Sequence, residues 1–258
     1  MKIWKAHYKD KYHDTFVDII NTECDSTKNP LSFTLDKIKF IGRSLDDFQL
    51  ADETKYDEAK EKFCIFKAGG FNVGDTLIPY WYELQRYILD IEIPVKAFRK
   101  RDNCEVQGKI CISYEYAEHE AGKSGVKSYC DDKLVYHDDL KVSYFSLHIE
   151  QKVYNSAEKT IYFETALYDV CKQIAQDYYL KCCFTCQYSD YSPYGNDSYG
   201  CMLCYCRHKE DYLKVNNKYD YFDYLDDDYD VRQETYYCEQ FDFRNKCSGY
   251  RGFVDGIS

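Results

Sequence analysis

The sequence predicts a β-rich α+β protein: an antiparallel sheet or sandwich, then one helix, then a small cysteine-rich α+β unit that binds zinc. Three observations carry that expectation. Apolar and polar residues alternate along much of the first 160 or so positions, one helical stripe follows, and eight of the 14 cysteines crowd into the last 80 or so. The change of texture sets a soft boundary, with a β-rich domain over 1–158 and a helix plus zinc-binding unit over 159–258.

Short strand candidates come first, at Phe33–Phe40, Phe63–Phe66 and Leu77–Trp81. Leu89, Ile91, Ile93, Val95 and Ala97 then alternate with Asp90, Glu92, Pro94 and Lys96. A period of two buries one face of a strand. Pro94 has no N–H to donate, which predicts an edge position. Ile110, Ile112, Tyr114 and Tyr116 alternate in the same way. A third long strand carries Val142 and Tyr144, then Phe145, Leu147 and Ile149. Its phase slips between Tyr144 and Phe145, as a bulge would make it, and His148 is predicted to face solvent. Gly69-Gly70 and Gly122-Lys123-Ser124-Gly125 punctuate turns. Leu167, Val170, Cys171, Ile174 and Tyr178 share one face at helical spacing, which predicts a helix from about Thr165 to Tyr178. Cys171 lies on that stripe and reads as core.

Composition narrows the function. The 258 residues carry 45 acidic and 34 basic side chains, a net charge of -11. Mean hydropathy is -0.65, and no apolar run reaches the roughly 18 residues of a membrane helix. Nucleic-acid binding needs a basic face. The one Lys/Arg cluster is Arg99-Lys100-Arg101, read as a polar strand end leading into a loop. Neither nucleic acid nor membrane is therefore an expected partner, whereas a basic protein suits an acidic field. Met1 to His7 lacks the apolar stretch and small-residue cleavage site of a secretory leader, so a cytoplasmic location is expected. Disulfides are rare in that compartment, and a cysteine cluster there reads first as a metal site.

Cys183-Phe184-Thr185-Cys186 and Cys201-Met202-Leu203-Cys204 are both C-x-x-C. Two intervening residues let one turn aim two sulfurs at one ion, and zinc takes four thiolates tetrahedrally. Cys182, Cys201, Cys206 and Cys238 compete for the last positions, and His208 is a further candidate. Buried structural thiols are the competing reading; a thioredoxin-like pair lacks its βαβ context. Other motifs fail on inspection. Gly122-Lys123-Ser124 lacks the earlier glycine of a P-loop, whose place is taken by Ala117. The acidic run from Asp220 to Asp230 lacks the glycine and glutamate of a calcium loop. The loop Ser189–Asp197 is turn chemistry with enough tyrosine to offer a recognition surface. No G-x-S-x-G nucleophile elbow is present.

Tyr188-Ser189-Asp190-Tyr191-Ser192-Pro193-Tyr194-Gly195, Arg232-Gln233-Glu234-Thr235-Tyr236-Tyr237-Cys238 and Gly249-Tyr250-Arg251-Gly252 together resemble an uncharacterised family of bacterial proteins, a domain-of-unknown-function group. The resemblance is close over about 160–254 and weak over the β-rich half. It implies no activity. It does imply a C-x-x-C ahead of the Tyr-Ser-Pro loop, one cysteine on the next strand and one in the Gln-Glu-Thr-Tyr segment. On this sequence that assigns structural zinc to Cys183, Cys186, Cys204 and Cys238. The expected function is a non-catalytic, immunity-like module that blocks a basic protein. The alternative is an enzyme with a metal- or cysteine-dependent active site between the two halves.

Overall fold

Alternation along the chain becomes alternation of burial in space. The computed structural model describes residues 1–23, 28–117, 126–130, 133–137, 139–157, 162–192, 199–217, 219–225 and 228–244. They divide between two compact units. The first comprises Met1–Thr22, Asn29–Glu92 and Ile112–Tyr144, and the second Glu23–Lys28, Ile93–Cys111 and Phe145–Ser258.

In the first unit, β1 (Lys2–Lys9) and β2 (Asp14–Asn21) pair as a hairpin with Ala6 opposite Val17. Trp4, Ala6 and Tyr8 point inward from one strand, and Val17, Ile19 and Asn21 from the other. Strands β3 (Leu31–Leu35) and β4 (Ile38–Gly42) form a second hairpin. Phe33–Phe40, expected as one strand, is thus two. Asp36 and Lys37 turn the chain with φ of 48° and 66°, the left-handed pair that matches strand twist in a two-residue hairpin. β5 (Gln49–Leu50), the one-turn helix α1 (Tyr56–Ala59), β6 (Ile65–Ala68), β7 (Phe71–Val73), β8 (Thr76–Ile78) and β9 (Trp81–Leu84) follow. Gly69 has φ of 90°, and a Cβ there would come 2.1 Å from the Pro79 carbonyl oxygen, so only glycine fits.

Three long strands run through both units: β10 (Ile88–Arg99), β11 (Cys104–Ala117) and β14 (Asp139–Ile149). Between the last two lies the hairpin β12 (Val126–Cys130) and β13 (Lys133–His137). The strand order of the first unit's sheet is β10-β1-β2-β3-β4-β5-β9-β6. Its core is aromatic. Tyr8 stacks on Tyr87 at 5.7 Å, Phe33 on Phe40 at 5.1 Å, and Phe40 meets Phe63 edge-on at 5.0 Å. Such contacts add about 0.5–1.5 kcal/mol each beyond area burial.

In the second unit, β15 (Lys152–Asn155) continues the order β15-β14-β11-β10, and β16 (Tyr178–Leu180) also pairs with β10. Pro94 sits in a strand with neighbours on both sides but at a local break in the pairing along one of them, where a missing N–H is tolerated. It falls between the stretch of β10 paired with β1, up to Ile91, and the stretch paired with β16, from Ala97. Burial along β14 does change phase, but one residue earlier than expected: Val142 is buried, Ser143 and Tyr144 are both exposed, and Phe145, Leu147 and Ile149 are buried, so Tyr144 does not share the inner face with Val142. His148 is half-buried, with Nε2 2.9 Å from Ser146 Oγ. Helix α2 (Phe163–Ile174) buries Leu167, Val170, Cys171 and Ile174. It stops before Tyr178, which β10 recruits into β16 instead. A three-stranded antiparallel sheet follows, β17 (Ser189–Asp190), β18 (Met202–Cys204) and β19 (Asp230–Arg232). With it go the short helices α3 (Lys209–Tyr212) and α4 (Asp220–Tyr224). Tyr205, Tyr212, Val215 and Tyr221 form a separate small core.

The fold class is thus α+β and β-rich, with a large antiparallel sheet and few helices. Among the described residues, no helix is long and apolar enough to cross a membrane. The Gly122–Gly125 turn, the Gly249–Gly252 motif and the domain boundary near Lys159 lie outside the described residues.

Candidate functional site

Four segments far apart in sequence converge around the first C-x-x-C. Cys182 is extended and precedes a single 3-10 turn, Cys183–Thr185. That turn is closed by the Cys186 N–H on the Cys183 carbonyl at 3.0 Å. Thr185 anchors it by donating from Oγ1 to the Leu180 carbonyl at 2.7 Å. The Tyr188 N–H points back at Cys186 Sγ, 3.5 Å away. Cys204 ends β18, opposite Ser189 of β17 and Asp230 of β19. Ser189 also donates to the Cys183 carbonyl, tying β17 to the turn. The segment carrying Cys238 wraps the same turn: the N–H groups of Cys183 and Phe184 donate to Tyr236 and Glu234 at 2.8 and 3.0 Å.

The thiols sense one another. Cys183 is pushed well above the ordinary thiol range, first by its hydrogen bond with Cys204 and then by burial. Cys204 is drawn down, first by that same bond, with further help from Cys206 and the Arg232 guanidinium. Burial raises Cys186, whose surroundings include Cys204 and Cys238. Burial likewise raises Cys206 to about 12, with Cys204 and Cys238 adding to the effect. Cys182, Cys183, Cys186, Cys204, Cys206 and Cys238 thus make one electrostatic neighbourhood.

Cys182 adjoins the same group: burial raises it to about 11, Cys186 adds to the effect, and it in turn acts on Cys183, while Cys171 lies on its other side. Cys201 enters the surroundings of Tyr191 instead. His208 places Nε2 2.8 Å from Asp228. Among the described residues, no group of three or more His, Cys, Asp or Glu side chains is set as a metal-holding shell. The thiols are neighbours that share protons; a metal would have to displace those protons and draw the sulfurs inward. Their chemistry suits zinc: soft sulfur donors and a backbone N–H aimed at one sulfur.

The described side chains of the acidic run, Asp220, Asp228 and Asp230, are paired. Asp228 and Asp230 face Arg207 at 2.8 and 3.1 Å, and Asp220 accepts from Asn216 and Asn217. Asp226, Asp227 and Cys247 lie outside the described residues, as does most of the Tyr-Ser-Pro loop.

Sequence reasoning missed a buried polar group next to this site. Glu234 is fully buried, and its carboxylate accepts from Tyr191 Oη at 3.1 Å and the Gly200 N–H at 2.7 Å. Burial raises its carboxyl to about 8, and the buried Glu164 carboxyl adds to the effect. Nearby, Arg244 donates to the Ser189 carbonyl at 2.6 Å and stands 3.8 Å from Asp190, which is fully buried.

Comparison with known proteins gives one match. A family of unknown function (DUF6304) matches residues 2–189. The match takes in the β-rich part, where the motif resemblance is weak, and stops short of the Gln-Glu-Thr-Tyr and Gly-Tyr-Arg-Gly segments. No curated protein and no solved structure matches the chain. Spanning well over half of its length, the match places this chain in that family of unknown function.

Proposed function

We propose that Cys183, Cys186, Cys204 and Cys238 hold a structural zinc ion, and that the protein is a non-catalytic, immunity-like interaction module of the cytoplasm. The observation that carries the reading is the convergence of the 3-10 turn, β18 and the Cys238 segment: Cys204 stands opposite Ser189, Ser189 donates to the Cys183 carbonyl, and the Tyr236 and Glu234 carbonyls accept from the N–H groups of Cys183 and Phe184. A closed set of four thiolates leaves no open position for a substrate, so its binding energy goes into folding. The partner is a basic protein domain, met through the acidic surface that gives the chain its charge of -11. Elemental analysis of protein purified under reducing conditions tests the metal: one zinc per chain is expected, and its absence overturns the assignment. Co-expression with a basic toxin domain encoded beside it tests the role, with rescue of growth as the expected result.

One observation favours the rival enzyme reading. The Cys204 thiol is held below the ordinary thiol range by its neighbours, and a thiolate is the nucleophilic form. Rapid alkylation of Cys204 at neutral pH, in protein that carries no zinc, would favour it.

A further inference from the structure

We propose that the turn after β10, together with the start of β15 and the end of α2, forms a binding site for a small phosphate-type oxyanion. A concave pocket of about 140 Å³ lies in the second unit, lined by Arg99, Arg101, Lys152, Gln176, Asp177 and Tyr178. Arg99-Lys100-Arg101 is the one basic cluster in an acidic sequence. The fold brings to it a third cation, Lys152, from about 50 residues further along the chain. Pairing of β16 with β10 sets Tyr178 opposite Arg99 and so builds the pocket wall.

Volume selects the ligand. Pockets for drug-sized molecules and cofactors run to roughly 300–1,000 Å³, so 140 Å³ suits a single tetrahedral oxyanion or one phosphoryl group and leaves no room for a nucleotide. Donor geometry points the same way. Arg99 is fixed by acids on one side: Nε donates to both oxygens of Asp102 at 3.1 Å, and Nη1 to Glu150 at 2.8 Å. Glu150 is itself held by the Tyr178 hydroxyl at 2.6 Å. This clamps the guanidinium while Nη2 makes none of these bonds, and a pre-ordered fork loses little freedom on meeting an oxyanion. Lys152 spends one of its three N–H donors on Asp177, at 2.9 Å. Arg101 stands 3.7 Å from Asp102 and keeps a largely exposed guanidinium. The lining carries three cations against the single carboxylate of Asp177. Asp102 and Glu150 hold Arg99 from the side and, with Asp177, balance the three cations, so binding would rest on directed N–H donors rather than on net charge, and affinity is expected in the millimolar range.

Calorimetric titration of the full chain at low ionic strength tests the site, with inorganic phosphate in one arm and O-phosphoserine in the other. Saturable binding of inorganic phosphate is expected. Phosphoserine binding at least as tightly would identify the source as a phosphoryl group on a larger molecule; binding of inorganic phosphate alone would identify the free ion. The exposed pair Arg101→Ala/Lys152→Ala should weaken binding about tenfold or more and leave the melting temperature in phosphate-free buffer unchanged. Absence of saturable binding in both arms, or equal binding by the double variant, overturns the proposal.

Discussion

The strands β1 to β4 and the segment from Cys182 to Arg244 are stabilised in different ways. The first is an apolar pattern. Trp4, Ala6, Tyr8, Val17, Ile19, Phe33, Ile38 and Phe40 are all buried, each at its place in an alternating strand. The second has strands of two or three residues and buries Thr185, Ser189, Asp190, Gln233, Glu234 and Arg244. Polar groups taken out of water must find partners or cost several kcal/mol each. One region is held almost wholly by area removed from water; the other adds to its own apolar clusters, such as Tyr205, Tyr212, Val215 and Tyr221, a polar network whose members depend on one another. A network built in this way gains most from an added cross-link, which is what a metal on its thiols would supply.

The sharpest way to test that contrast is chelation. If zinc ties the thiols together, its removal should strip hydrogen-exchange protection from residues 183–244 while β1 to β4 keep theirs. The binding energy at stake is on the order of 10 kcal/mol for such sites. Uniform loss across both regions, or none, would erase the distinction.

Next in size is Phe33→Ala. Phe33 is almost fully buried among Tyr8, Phe40 and Phe48. Its truncation should cost about 3–5 kcal/mol, read as a lowered urea midpoint with an unchanged slope.

Glu234 makes the polar region pH-dependent. Its folded carboxyl titrates near 8, against an ordinary value of 4.5. The native state keeps the proton through that window while the unfolded chain releases it. Stability from this group is therefore full below about pH 4.5 and lost as the pH rises toward about 8, by an amount on the order of a few kcal/mol. Glu234→Gln should flatten that part of the pH–stability curve. An unchanged slope would mean that Glu234 is not the titrating group.

The smallest effect is expected at the surface of the apolar region. Lys5 and Asp18 pair across β1 and β2 with both side chains more than half exposed. Solvent screens such a pair, so Lys5→Ala should change stability by less than about 1 kcal/mol, seen as a nearly unmoved melting temperature.

The long strands were legible because burial on one face leaves a period-two trace. β10, β11 and β14 each contain the alternation that predicts them, and a phase change in β14 is visible in both sequence and burial, although burial places it at Ser143 and Tyr144. The β1–β2 hairpin was missed although Trp4, Ala6 and Tyr8 alternate, because exposed Ile3 and Phe16 and buried Asn21 break the apolar/polar alternation that marks a strand. The turn at Asp36-Lys37 was missed because its residues are not the usual glycine-containing pair. At the site, the C-x-x-C was legible as a local turn. That Cys206 joins the neighbourhood while Cys201 does not was open, since that choice depends on where β18 ends.

The sequence alone determined what depends on near neighbours: the strand periods, the stripe of α2, the C-x-x-C turn and the net charge. Those properties follow from the spacing of side chains along one element. Tertiary structure alone decided that Tyr178 joins a strand instead of the helix, that Pro94 falls at a break between β1 and β16, that Glu234 is buried beside Glu164, and that Lys152 reaches the Arg99–Arg101 turn. Each of these depends on a partner far along the chain, whose gain in pairing, burial or charge outweighs local preference.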